Sequence, residues 1–135
     1  NMTDMDLQNA KDLIRMSEDQ FTFWDIVPNE HGVKRFAAPC VVEQYKYWTP
    51  VDASAHNVSM AFLDLYEATG DKLAFAKAKA LIDNMTIVQN KCSGQMPTTW
   101  DLRSPEREGR RTFWTNCTWA SVTALLRMAE LTENQ

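Results

Sequence analysis

Leu65-Tyr66-Glu67-Ala68-Thr69-Gly70-Asp71-Lys72-Leu73 is the stretch on which the fold turns. Apolar residues recur at helical spacing on both sides of a short polar break. Gly70 suits the left-handed position just past a helix, and Asp71 suits the cap of the next one. Two helices joined by Thr69-Gly70-Asp71 alone must run antiparallel. The helix before the break spans about Ala53 to Ala68. Val58, Met60, Ala61, Phe62, Leu63, Leu65 and Tyr66 cover most of its circumference, so it is expected to be buried on nearly all sides. The helix after it spans about Lys72 to Gln89. Leu73, Ala76, Ala80, Leu81 and Val88 are expected inside, with Lys72, Lys77, Lys79 and Asp83 in water.

Working outward, two more helices appear. One spans about Asp4 to Trp24, with Leu7, Ala10, Ile14, Ser17 and Phe21 on a single stripe. The other spans about Asn116 to Leu131 and is apolar nearly all round, so Trp119 reads as core. The predicted order is exposed, buried, exposed, buried. Asp52, and Thr115 or Asn116, are the expected caps of the two buried helices. The pattern repeats. Ala10-Lys11 and Leu13-Ile14 recur as Ala78-Lys79 and Leu81-Ile82, and Ala61-Phe62-Leu63 with Glu67 recurs as Ala124-Leu125-Leu126 with Glu130. The fold class is all-α, built from antiparallel helical hairpins in one domain over residues 1–135.

Composition narrows the function. The 135 residues are 44% hydrophobic and 24% charged, enough for a packed core. Net charge is -4, and Arg110-Arg111 is the densest basic spot, which speaks against nucleic acid as a partner. No apolar run approaches the roughly 18 residues of a membrane span. The first residues hold Asp4 and Asp6 and do not read as a signal peptide. Cys40, Cys92 and Cys117 are an odd, widely spaced set, expected as buried small apolar residues. Neither a metal-ligand cluster nor a cofactor motif is evident.

The connections are unequal. Those at about 25–51 and 90–115 are long, and antiparallel hairpins put both at one end, where the buried helices start. The first carries Glu43, Tyr45, Tyr47, Trp48 and Asp52. The second carries Trp100, Asp101 and Arg103. Flat aromatic faces stack on sugar rings, carboxylates and guanidinium groups bind hydroxyls, and paired carboxylates drive glycoside hydrolysis. Glu43, Asp52 and Asp101 are the candidate catalytic or hydroxyl-binding acids. Tyr45, Tyr47, Trp48, His56, Trp100 and Arg103 are the candidate substrate-binding residues. Each has a structural reading beside this one. Asp52 is also a helix cap, Glu43 a partner for Lys46, the aromatics a plug over the helix ends, and His56 a core histidine.

The runs Ser17-Glu18-Asp19-Gln20-Phe21, Pro39-Cys40-Val41-Val42-Glu43-Gln44-Tyr45, Pro50-Val51-Asp52-Ala53-Ser54-Ala55 and Leu65-Tyr66-Glu67-Ala68-Thr69-Gly70-Asp71 go further. With Ala76-Lys77-Ala78-Lys79-Ala80-Leu81 and Gly94-Gln95-Met96-Pro97-Thr98, they resemble the C-terminal part of bacterial proteins in the six-hairpin glycosidase superfamily. The resemblance spans nearly all of the chain. It implies six hairpins closed into an α/α toroid, with the ligand site at the N-terminal ends of the inner helices. This chain would then be about two hairpins of a larger ring, acting on an oligo- or polysaccharide without a cofactor. Its apolar helices would be covered by the rest of the toroid or by a homo-oligomer. Toroids also include isomerases, epimerases and lyases, for which Tyr45, Tyr47 and His56 are the candidate bases. A non-catalytic helical-repeat interaction module is the alternative from another class.

Overall fold

The computed structural model describes residues 3–24, 27–28, 34–35, 39–43, 49–50, 52–100, 109–110 and 115–133. Its first helix, α1, spans Asp4–Phe21. Thr3 caps it reciprocally: its hydroxyl accepts the Asp6 N–H at 3.2 Å, and the Asp6 carboxylate accepts the Thr3 N–H at 2.9 Å. Short strands follow: β1 (Thr22–Phe23), β2 (Val27–Pro28), β3 (Lys34–Arg35), β4 (Cys40–Glu43) and β5 (Thr49–Pro50). Helix α2 spans Asp52–Thr69 and α3 spans Lys72–Val88. Then come β6 (Thr99–Trp100), β7 (Gly109–Arg110) and α4 (Thr115–Glu133). The chain is mostly helical, as expected, and the helix limits fall within three residues of those read from sequence. Asp52 and Thr115 differ slightly from expectation, being first helical residues rather than flanking caps.

The central turn forms as its residues dictate. Gly70 has φ +71° and donates its N–H to Tyr66 O at 2.7 Å, closing α2 with a left-handed cap. The Asp71 side chain then accepts the N–H groups of Leu73 and Ala74 at 2.9 and 3.4 Å and starts α3. Helices α2 and α3 pack as an antiparallel pair around Phe62, Leu63, Ala78, Leu81 and Ile82, all buried. Tyr66 and Phe75 meet near the turn with ring centroids 4.9 Å apart.

Two cross-links set the direction of α4. Ser121 meets His56, and Arg127 pairs with Glu67. Both partners advance together along the chain, so α2 and α4 run parallel with their starts at one pole. Helix α1 is held to α3 by an ion pair between Glu18 and Lys77. The Glu18 carboxylate also accepts the Trp24 indole N–H at 3.0 Å. Lys77 lies over the Trp24 and Phe62 rings, 5.7 and 5.5 Å from their centroids.

The strands are an addition that helical periodicity does not foretell. β1, β4 and β5 form a three-stranded antiparallel sheet, with Thr22 opposite Val41 and Val42 opposite Pro50. Cys40, Val41 and Val42 are all buried, because α2 lies against the strand and α1 packs beside it.

The predicted order of exposed and buried helices needs correction. α2 is the central rod as expected, touching α1, α3, α4 and β4. α3 is one-sided as expected, with Leu81 and Val88 buried and Lys72, Lys79 and Asp83 exposed, but its buried face runs through Ala74, Ala78, Ile82, Asn84 and Met85, whereas Leu73 and Ala76, expected inside, are exposed. Small alanines at 74 and 78 let α3 approach α2 closely, so one full face is lost to solvent. Lys77, expected in water, is half-buried by its pairing with Glu18. Among its described side chains, α4 buries only Ser121 and Ala124. Trp119, expected in the core, is 73% exposed. Cys40 is buried as expected, but Cys92 is exposed, in the turn after α3.

Candidate functional site

Both long connections return to the pole where α2 and α4 begin. β5 leads directly into α2, and β6 lies against β5. β4 brings Glu43 opposite Thr49, three residues before Asp52 starts α2. On the other side, β6 pairs with β7, placing Trp100 opposite Gly109 in the connection that precedes α4. The Glu43 and Asp52 backbones and the residue preceding Asp101 are thereby gathered at one end of the helices. The turn after α3 delivers the second connection there. Asn90 Oδ1 accepts the N–H groups of Cys92 and Ser93, both at 2.9 Å, and Gly94 takes φ +73°. The Met96 N–H then donates to the Thr118 hydroxyl at 3.3 Å, tying the connection to the first turn of α4.

The predicted site residues divide. Glu43 and Asp52 are placed by their backbone at this pole. Tyr45, Tyr47, Trp48, Asp101 and Arg103 lie outside the described residues. Trp100 is 3% exposed, so the expectation of an open stacking face is corrected: its indole is covered where β6 meets the body of the chain. His56 is 1% exposed, one turn into α2, and occupies the core position rather than an open rim.

Around His56 there is a constellation the sequence did not flag. Ser121 in α4 contacts His56 Nε2 through its hydroxyl, while His56 Nδ1 has no partner among the described residues. Burial alone pushes the imidazole pKa down to about 4, because the charged form is poorly solvated there. His56 is therefore neutral at pH 7. Both side chains border a cleft of about 50 Å³ between α2, the second half of α3 and the start of α4. Its other walls include Met85, Met96, Val122 and Leu125. Ligand pockets for drug-sized molecules run to roughly 300–1,000 Å³, so this cleft admits a few waters and not a sugar ring. The sequence signal for Ser121 was a hydroxyl on an otherwise apolar stripe of α4, with Ala124, Met128 and Leu131.

Among the described residues no group of three His, Cys, Asp or Glu side chains is gathered as a metal site. None of the described helices is long and apolar enough to cross a membrane. No protein-family model, curated protein or solved structure matches this chain.

Proposed function

We propose that this chain is a carbohydrate-active, glycoside-hydrolase-like element of an α/α toroid, with its sugar site at the shared starting pole of α2 and α4. The observation that carries this reading is the contact of β5 with β6, which draws the two acid- and aromatic-bearing connections together. The parallel course of α2 and α4 suits two inner helices of such a ring. The positive end of the α2 dipole attracts negative charge at Asp52. That suits Asp52 to act as base or hydroxyl acceptor, with Glu43 or Asp101 supplying the proton. In such hydrolysis one carboxylic acid protonates the departing glycosidic oxygen. The opposing carboxylate either takes a proton from the attacking water or first bonds the anomeric carbon. Tyr45, Tyr47 and Trp48 are the stacking candidates and Arg103 the hydroxyl donor. Trp100 and His56 are left out of the contact set because both are buried.

The test is a hydrolysis and binding screen of the protein against a glycan panel, repeated with Glu43→Gln, Asp52→Asn and Asp101→Asn together. The reading expects turnover that the triple variant loses. Unchanged turnover in that variant removes the three acids from the chemistry. Binding without turnover would leave a carbohydrate-binding module. A second reading, a helical interaction module without catalysis, is favoured by one feature: the apolar outer side of α4, where Trp119 stands in solvent.

A further inference from the structure

Helix α4 carries two apolar seams of the same period. Ser121, Ala124, Met128 and Leu131 face the body of the chain. Trp119, Val122, Leu126 and Ala129 repeat that spacing two residues earlier on the exposed side, with Val122 at its edge, where it also walls the cleft beside His56. Spacing of three, four and three residues is the a/d seam of a helix that packs against another helix. Leu125 flanks it and is also exposed.

We propose that this outer seam binds a second copy of the chain, with the two α4 helices packed antiparallel about a two-fold axis. The seam is complementary to itself in that direction. Turning one copy over about the midpoint at residue 124 sets Trp119 against Ala129 and Val122 against Leu126. The largest side chain then meets the smallest, and the two middle ones meet each other. A parallel copy would set Trp119 against Trp119 and Ala129 against Ala129, leaving a clash at one end of the seam and a gap at the other.

Charge points the same way. The last turn of α4 holds Glu130, which Arg127 pairs at 3.5 Å from one turn back, and Glu133, while its first turn holds no acid. Acids at a helix C-terminus oppose that helix's own dipole. In the antiparallel pair each acidic turn lies beside the positive starting turn of the other copy. The 19-residue helix is about 28 Å long, a modest contact, so the dimer should dissociate on dilution. A further hairpin of a longer ring, or the chain's own 101–114 segment, is the competing occupant.

Sedimentation velocity over a concentration series reads the result, with circular dichroism confirming that each variant is folded. The wild-type protein should pass from monomer to dimer. Val122→Glu and Leu126→Lys should each be monomeric, as should Trp119→Ser. Because residue 122 of one copy faces residue 126 of the other, an equimolar mixture of Val122→Glu and Leu126→Lys should form dimers again. A parallel pair would not regain them, since Glu and Lys would then face Leu or Val. A wild-type monomer at every concentration overturns the proposal, as does dimerisation that the single variants leave intact. A mixture that stays monomeric overturns the antiparallel register. A dimer through this seam would take the place of a further ring hairpin and so count against the toroid placement of α4, while glycan turnover is measured separately.

Discussion

The Ser121 hydroxyl meets Nε2 of His56, joining the first half of α4 to the first half of α2 deep in the chain. With Arg127 and Glu67 pairing further along, that contact fixes the parallel course of the two helices. It also holds a titratable ring in a place where its cation is poorly solvated. The buried imidazole links the arrangement of the helices to pH.

Stability should fall as acid is added through this histidine. Its folded pKa is depressed to about 4, against an ordinary value of 6.5. Between those values the unfolded chain binds the proton and the folded one does not. The contribution is therefore complete above pH 6.5, declines as pH falls towards 4, and changes little below. Its full size is about 3 kcal/mol. Urea unfolding at pH 7 and near pH 4 checks it: His56→Gln should flatten the profile relative to wild type. Equal slopes in the two proteins would contradict it.

Removing the hydroxyl should also be costly. Ser121→Ala leaves Nε2 without its serine, beside an Nδ1 already unpartnered among the described residues. We expect a loss of about 1–3 kcal/mol by urea denaturation at pH 7.

The two lysine–carboxylate pairs of α3 should differ in strength. Glu18 and Lys77 are 20% and 26% exposed, and the carboxylate also accepts the Trp24 N–H. Lys79 and Asp83 are 56% and 58% exposed on one helix face. A double-mutant cycle should give about 1 kcal/mol or more for the first pair and roughly 0.3–0.5 kcal/mol for the second. Raising salt should weaken the second more.

At the α2–α3 turn, Gly70→Ala meets no steric obstacle, since nothing lies within 4 Å of the added carbon. The cost is the left-handed backbone alone, about 1 kcal/mol. Leu63→Ala, at a fully buried position, should cost about 2–5 kcal/mol. Thermal or urea unfolding of both variants side by side separates the conformational from the packing effect.

Much of this architecture was legible in the sequence. Gly70 and Asp71 mark the hairpin, and the four periodic stretches give the helices within a few residues. The strands were not legible, because pairs such as Thr99–Trp100 are too short to show a period of two. The facing of α4 was not legible either. Its two apolar seams are equivalent as pattern, and only the position of α2 and α3 decides that Ser121 and Ala124 go inward and Trp119 outward. On α3 the wet face was legible at Lys72, Lys79 and Asp83, but not at Lys77, which bends over Trp24 to reach Glu18. At the candidate site, the meeting of the two long connections at one pole followed from hairpin polarity. The covering of Trp100 did not, since an aromatic in a short strand carries no mark of what lies over it.

The central claim is that sugar is recognised where β5 and β6 meet, at the starts of α2 and α4. Backbone amide shifts, followed while oligosaccharides are added, test it most directly. The account predicts perturbations concentrated at Glu43, Thr49, Asp52 and Trp100. Shifts gathered instead at the far ends, near Thr69 and Glu133, or no shift with any glycan, would contradict it.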